Sequence, residues 1–161
     1  MRVLIVSDTH GRHLNFDTAL EDAGKVDAVI HLGDFEGEEY YYEAACECPL
    51  YMVKGNNDYF SYEPSERVIF LQDKTIFMTH GHQYMVSMDL ERIKREARRR
   101  EAQIVMHGHT HRPYVLEEDG MVFLNPGSLS RPRQAGREPS YIVMTIAENG
   151  KMDFDIRYIK D

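Results

Sequence analysis

The first apolar run of the chain, Val3-Leu4-Ile5-Val6, contains no polar residue and stops at once at Ser7-Asp8-Thr9-His10. A strand with one face in water alternates apolar and polar side chains. A strand without alternation must be covered on both faces, and that requirement selects an α/β architecture in which helices clothe the sheet. The pattern then repeats. A helix is expected from about Asn15 to Asp22, stopping near Gly24, before a second strand over Asp27–Leu32 that ends in Gly33-Asp34. The stretch EGEEYYYEAACE reads as a helix whose tyrosines pack along one side with their hydroxyls in solvent. Leu50–Val53 is a third strand, ended by GNND.

The second half has a different rhythm. Arg67–Leu71 and Thr75–Thr79 read as neighbouring strands around a Gln72-Asp73-Lys74 turn. A helix follows, with Ser87 as its cap and Leu90, Ile93 and Ala97 as its buried stripe. Further strands are expected at Ile104–Met106, Tyr114–Leu116, Met121–Leu124, Tyr141–Ala147 and Met152–Ile159, with Glu117-Glu118-Asp119-Gly120 and Glu148-Asn149-Gly150 as hairpin turns. A βαβαβ half followed by a mostly antiparallel half predicts two sheets packed face to face with helices outside, the C-terminal hairpins completing the second sheet. At 161 residues and 42% apolar content, the chain suits one domain, 1–161, with a full core.

The polar residues gather where these strands end. The successive ends carry Asp8-Thr9-His10, Gly33-Asp34, Gly55-Asn56-Asn57-Asp58, His80-Gly81-His82 and His107-Gly108-His109-Thr110-His111. The carboxyl edge of an α/β sheet is where ligands bind. Taken singly, each piece has an ordinary reading as a capping turn, a turn dipeptide or a hydrogen-bonded structural histidine. The ordered set of five points to a metal site. Asp, Asn and His without thiolate suit Mn, Fe, Zn, Co or Ni better than an all-oxygen calcium cage. The donors outnumber one tetrahedral zinc site, and two metals sharing a bridging carboxylate would use them all.

The totals narrow the function classes. A net charge of −8 gives no global footprint for nucleic acid and suits a site that holds divalent cations. The basic stretch from Lys94 to Arg100 reads as a solvated helix face. Cys46 and Cys48 are too few for a disulfide scaffold or a four-thiolate zinc site, and reduced, partly buried thiols are expected, with a C-x-C metal or redox pair as the alternative. The N-terminus reaches Asp8 before forming a signal-peptide core, and no apolar run is long enough for a membrane span, so the expected location is the cytoplasm.

The order D-x-H, G-D, G-N-x-D, H-G-H, G-H-x-H resembles the calcineurin-like metallophosphoesterases. The short length and the segment Asn125–Arg133, N-P-G-S-L-S-x-P-R, resemble the small YfcE-like phosphodiesterase branch. The resemblance covers nearly the whole chain and implies a four-layer α/β/β/α sandwich of two mixed sheets flanked by helices. It implies a dinuclear-metal-dependent phosphodiesterase or phosphatase, with two divalent ions, Mn first among them. The first ion would take Asp8, His10, Asp34 and His111. The second would take Asp34, Asn56, His80 and His109, with Asp34 bridging. A hydroxide between the metals would attack phosphorus, with Asn56 and His80 helping to fix the substrate. His107 lies outside the matched motif and is expected to be hydrogen-bonded behind the site.

One position departs from the wider family, whose G-N-H-D or G-N-H-E supplies a histidine that protonates the leaving group. Here that position is Asn57, and an amide shuttles no proton at neutral pH. The proton would then come from water, from His82, or not at all, and a substrate with a good leaving group would suffer least. Asp58 is expected to orient this loop rather than bind metal. The segment Asn125–Arg133 is either a rigid turn or an edge of the cleft that meets phosphate through backbone NH groups or Arg131. The expected partner is a small phosphodiester or phosphate ester, without membrane or nucleic acid, and the family suggests a homodimer. The alternative is a protein-binding scaffold with little or no catalysis, like the retromer subunit of the same fold. Phe60 and Tyr62 are its candidate exposed residues.

Overall fold

Along β1 (Arg2–Val6), Val3 and Ile5 point to one side of the sheet and Leu4 and Val6 to the other, and all four are fully buried. The reason lies in what covers each face. Val3 and Ile5 pack with Ile76 and Met78 of β5 (Lys74–Thr79) and Ile104 and Met106 of β6 (Ile104–Met106), which belong to a second sheet. Leu4 and Val6 pack under α1 (Leu14–Ala23) and α2 (Glu39–Ala45) through Phe16, Ala19 and Tyr42. Burying a ring such as Phe16 contributes about 1.5–3 kcal/mol relative to leaving it in water. On the far side, α3 (Glu91–Arg99) lays Ile93 and Ala97 against Phe77, Val105 and Phe123. The result is the expected four-layer α/β/β/α sandwich, in a computed structural model that describes residues 1–160.

The first sheet runs in the order β10-β9-β1-β2-β3, where β2 is Ala28–His31, β3 is Leu50–Met52, β9 is Ser140–Ile146 and β10 is Met152–Tyr158. The second runs β4-β5-β6-β8-β7, where β4 is Glu66–Leu71, β7 is Tyr114–Glu118 and β8 is Met121–Asn125. The parallel pairs are β1 with β2, β2 with β3, β5 with β6, and β6 with β8. They aim the carboxyl ends of β1, β2, β3, β5 and β6 at one rim, which is what places the site.

Several expectations are corrected. The second sheet is not mostly antiparallel, because α3 crosses over between β5 and β6 and leaves them parallel. The β9–β10 hairpin joins β1 in the first sheet and not the second. Tyr141, Ile142, Val143, Met144 and Ile146 of β9 are all apolar and buried, which makes it a strand covered on both faces. Ser87 does not cap α3, which starts at Glu91 with the Asp89 carboxylate accepting from its NH at 2.9 Å. The hairpin between β4 and β5 turns on Gln72 and Asp73, and Lys74 is already in the strand. Tyr42 does not hold its hydroxyl in solvent; it is fully buried, while Tyr40 is the exposed member of the trio.

Most cations of the Lys94–Arg100 stretch are paired: Lys94 with Glu91 and Glu118, Arg98 with Asp119, Arg99 with Glu96, and Arg100 with Glu96 and Glu66. Cys46 and Cys48 are free thiols, and burial pushes Cys46 up to about 12. Among the described residues, no helix is long and apolar enough to cross a membrane.

Candidate metal centre

The loops that follow β1, β2 and β6 reach the rim through unusual backbone. Asp8, His10, Asp34, His109 and His111 all have positive φ, between 47° and 69°. Asp, Asn and His tolerate this region better than other residues, yet each still costs on the order of 1 kcal/mol unless the surroundings impose it. Two glycines make room for the carboxylates. A Cβ on Gly55 would lie 2.1 Å from Asp34 Oδ1, and one on Gly108 would lie 2.0 Å from Ser7 Oγ and 2.7 Å from Asp8 Oδ2.

Three histidines have their tautomers fixed from behind. His10 Nδ1–H donates to Glu36 Oε1 at 2.7 Å, His80 Nδ1–H to the Leu32 carbonyl at 2.7 Å, and His111 Nδ1–H to the Arg131 carbonyl at 2.7 Å. Each acceptor holds the proton on Nδ1 and turns Nε2 inward, the arrangement of metal-ligating imidazoles. His10 Nε2 and His111 Nε2 face each other at 3.3 Å. Asp8 Oδ1 lies 3.0 Å from His111 Nε2 and 3.8 Å from the Nε2 atoms of both His10 and His80. Asp34 Oδ2 lies 3.5 Å from His80 Nε2 and 4.0 Å from His10 Nε2. Asp8 Oδ1 and His80 Nε2 are buried without a well-formed hydrogen bond. Polar atoms without partners in a buried site are costly, and a shared cation would satisfy them.

The electrostatics agree. Burial works against the charge on His80, but Asp8 and Asp34 outweigh it and lift its pKa to about 9. Burial opposes ionisation of Asp8 and Asp34 too, yet His80 beside them, with His111 on Asp8 and Asn57 on Asp34, holds both below the usual carboxylate range. The pocket thus gathers two carboxylates around a cationic His80, a charge balance that a bound metal ion would take over in place of the His80 proton. Two donor groups satisfy the distances for a cation: Asp8, His10 and His111, and Asp8, Asp34 and His80. The N and O donor chemistry fits a divalent transition ion.

The remaining sequence candidates lie close by in a different state. His109 Nδ1 and Asn56 Oδ1 are hydrogen-bonded to each other at 3.0 Å, and the His109 NH donates to Asp8 Oδ2 at 3.1 Å. The His80 and His109 rings are 5.2 Å apart, and His82 lies 5.6 Å from His80 and 6.1 Å from His109. Asn56, His82 and His109 are half-buried, so this side faces the cleft mouth.

Asp58 holds loops and does not reach the donors: its carboxylate accepts from the NH groups of Asp34, Gly55 and Glu36, each at 2.7 Å. Asn57 covers Asp34, donating from its NH to Oδ1 at 2.9 Å and from Nδ2 to Oδ2 at 2.8 Å. His107 is buried behind the site, bonded to the Tyr114 hydroxyl at 2.6 Å. The Asn125–Arg133 segment acts as a brace. Ser128 and Ser130 hydroxyls donate to the Asp8 carbonyl at 2.7 and 3.1 Å, while the NH groups of Gly127, Ser130 and Arg131 are taken up within the segment.

Sequence reasoning missed four supporting residues. Glu36 orients His10, Ser7 donates to Asp8 Oδ2 at 2.6 Å, and Ser128 holds the Asp8 backbone. His31 accepts from the Gly33 NH at 3.2 Å on Nδ1 and donates from Nε2 to Thr9 Oγ1 at 3.0 Å, joining the loops of Asp8 and Asp34. No spacing rule marks Glu36; Ser128 lies in the Asn125–Arg133 motif, whose contact with Asp8 the sequence did not show, and His31 stands out at the end of an apolar strand next to G-D.

Known proteins place this geometry. The pattern of the calcineurin-like phosphoesterase superfamily domain matches residues 1–149. The chain is 33% identical to "Probable metallophosphoesterase YsnB" of Bacillus subtilis over 147 residues, 91% of this chain and 85% of that protein. Its fold is similar to a conserved "predicted phosphoesterase" of Streptococcus pneumoniae TIGR4, with a TM-score of 0.85 and 32% identity over 98% of this chain and 88% of that one. It is also similar to a single mutant of Vps29 from Entamoeba histolytica, with a TM-score of 0.78 and 25% identity over 99% of this chain and 100% of that one. A family match over most of the chain, together with a donor pocket that could hold a metal ion, assigns this chain to the calcineurin-like phosphoesterase superfamily, in its small YfcE-like branch.

Proposed function

We propose that the protein is a dinuclear-metal phosphodiesterase. The observation that supports this most directly is the convergence of three Nε2 atoms on two buried carboxylates, with each Nδ1 proton held from behind. Asp8, His10, Asp34 and His111 would hold one divalent ion, and Asp34, Asn56, His80 and His109 the other, with Mn preferred and Ni, Zn, Fe or Co able to replace it. When bound, the two ions supply an activated water and neutralise charge on the phosphoryl oxygens.

The chain's own residues do the rest. Asn56, at the cleft mouth, and His80, buried behind it, help to fix the phosphoryl group. Asn57 fixes Asp34 by two hydrogen bonds and contributes no proton. His82 is the nearest proton carrier, and its Nδ1 has no partner among the described residues. Burial, with His80 beside it, holds its pKa below the usual value, so it is neutral at pH 7. Diesters whose leaving groups depart without a proton, such as p-nitrophenolate, are therefore the best substrates. The test is hydrolysis of bis-p-nitrophenyl phosphate beside p-nitrophenyl phosphate by chelator-stripped protein reloaded with Mn, Ni, Zn or Mg, with Asp34→Asn as control. Metal-dependent cleavage of the diester, lost in the variant, is expected. Two bound ions without cleavage by any of them would sink the catalytic reading.

A second reading, a protein-binding scaffold with little or no catalysis, has one observation in its favour: Phe60 and Tyr62 are 96% and 105% exposed. A donor set without a substituted position weighs for the enzyme.

A further inference from the structure

Four exposed aromatics line a groove that adjoins the metal centre. The groove has a volume of about 680 Å³, the size of a small-molecule site. They are Tyr40 of α2 and Tyr59, Phe60 and Tyr62 of the loop after β3. These four residues are between 79% and 105% exposed, and none stacks on another. Glu39 and Glu43 line the same groove and have no ion-pair partner among the described residues, and no Lys or Arg lines it. The loop is not loose. Asp58 anchors its base by three NH bonds, and the Lys54 NH donates to the Pro64 carbonyl at 2.9 Å, tying its ends together.

The groove lies next to the centre: Glu36 and Asn57 line it, and these residues hold His10 and Asp34. A phosphoryl group seated at the donors would have this groove within reach of an ester arm. Aromatic faces with unpaired carboxylates and no cation recognise an organic cation: the rings attract ammonium through their quadrupoles, and the carboxylates add Coulomb attraction. The same carboxylates repel an arm that carries a further phosphate. His82 is not in the groove, so the groove takes the arm that stays on phosphorus.

Resting on the phosphodiesterase reading, we propose that this groove is the subsite for a cationic ester arm, and that the preferred substrates are phosphodiesters of an amino alcohol carrying an ammonium or quaternary ammonium group. Water adds to phosphorus, the bond to the other alcohol breaks, and the amino-alcohol phosphate is released.

The test holds the leaving group constant. p-Nitrophenyl phosphorylcholine, methyl p-nitrophenyl phosphate and thymidine 5′-(p-nitrophenyl phosphate) all release p-nitrophenolate and differ only in the retained arm. The KM for the choline ester is expected to be roughly tenfold below that for the methyl ester. This ratio should fall toward one in Glu39→Gln/Glu43→Gln, which removes only charge, and in Phe60→Leu, which removes a ring but keeps its apolar bulk. A choline ester no better than the methyl ester, or a preference for the thymidine ester, overturns the proposal. If none of the esters is cleaved, the phosphodiesterase reading has failed and the groove is judged by binding alone. Tyr59 and Tyr62 ring-proton shifts are then followed while tetramethylammonium chloride is titrated against sodium chloride at equal ionic strength. Shifts specific to the organic cation support the subsite; their absence overturns it.

Discussion

The two ends of the metal centre are built differently. At one end, Asp8, His10 and His111 are buried and their outer atoms are fixed by Glu36, Ser7, the Arg131 carbonyl and the Asn125–Arg133 brace. Their inner atoms face one another at 3.0–3.8 Å. At the other end, Asn56 and His109 are half-buried and satisfy each other. A site whose donors are already held apart binds its ion with little reorganisation, whereas a self-satisfied pair must first give up a hydrogen bond. On the dinuclear reading proposed above, the first end would suit a tightly held ion, and the second an exchangeable one.

The largest effect is expected from Asp34→Asn. Asp34 is the carboxylate shared by the two proposed ligand sets and lies 3.5 Å from His80 Nε2 and 4.0 Å from His10 Nε2, so the variant should bind neither ion in a calorimetric titration and should cleave diester only at background. Retention of one tight ion would show that the two ends are independent. Next is Gly108→Ala, whose methyl would meet Ser7 Oγ at 2.0 Å. It should destabilise the protein by about 3 kcal/mol, seen as a lower midpoint in urea. Glu36→Ala should weaken the tighter ion by about 10–100-fold, and Glu36→Gln, which keeps an acceptor for His10 Nδ1–H, should recover part of it. His109→Gln should sharpen the contrast by removing the weaker binding step while the tighter one moves by less than about threefold. Loss of both steps would refute the distinction.

The smallest effect is on stability against pH in the metal-free chain. Burial lowers His31 to about 3 and His107 to about 4, so the unfolded chain takes up protons first as pH falls below the ordinary 6.5. Stability should fall from pH 6.5 toward pH 4. His80, lifted to about 9 by the carboxylates despite its burial, contributes stability that is present below 6.5 and lost as pH rises to 9. Thermal melts should peak near pH 6.5, and bound metal, which displaces the His80 proton, should remove the alkaline limb. A melt that does not change between pH 6.5 and 9 without metal would contradict the charge assigned to His80.

Much of the architecture was legible in the order of residues alone. Apolar runs without alternation, as at Val3–Val6, demanded helices on one side and a second sheet on the other. Polar residues at the strand ends marked one rim and its donors, since a parallel sheet brings its carboxyl ends together. The destination of β9 and β10 was not legible. The pattern of β9 shows burial on both faces but not which sheet supplies the neighbour, and the connection from β8 through the Asn125–Arg133 brace carries the hairpin to β1.

The sequence by itself determined the donor types, their order along the chain and the edge they occupy, because those follow from side-chain chemistry and strand periodicity. Only the tertiary structure decided which lone pairs face one another, because that depends on contacts between distant segments. The positive φ of Asp8, His10, Asp34, His109 and His111 is imposed by such contacts, among them Ser128 on the Asp8 carbonyl and Asp58 on the Asp34 NH. Glu36 behind His10 and the aromatic groove beside Asn57 are set the same way, by residues far apart in the chain meeting at one rim.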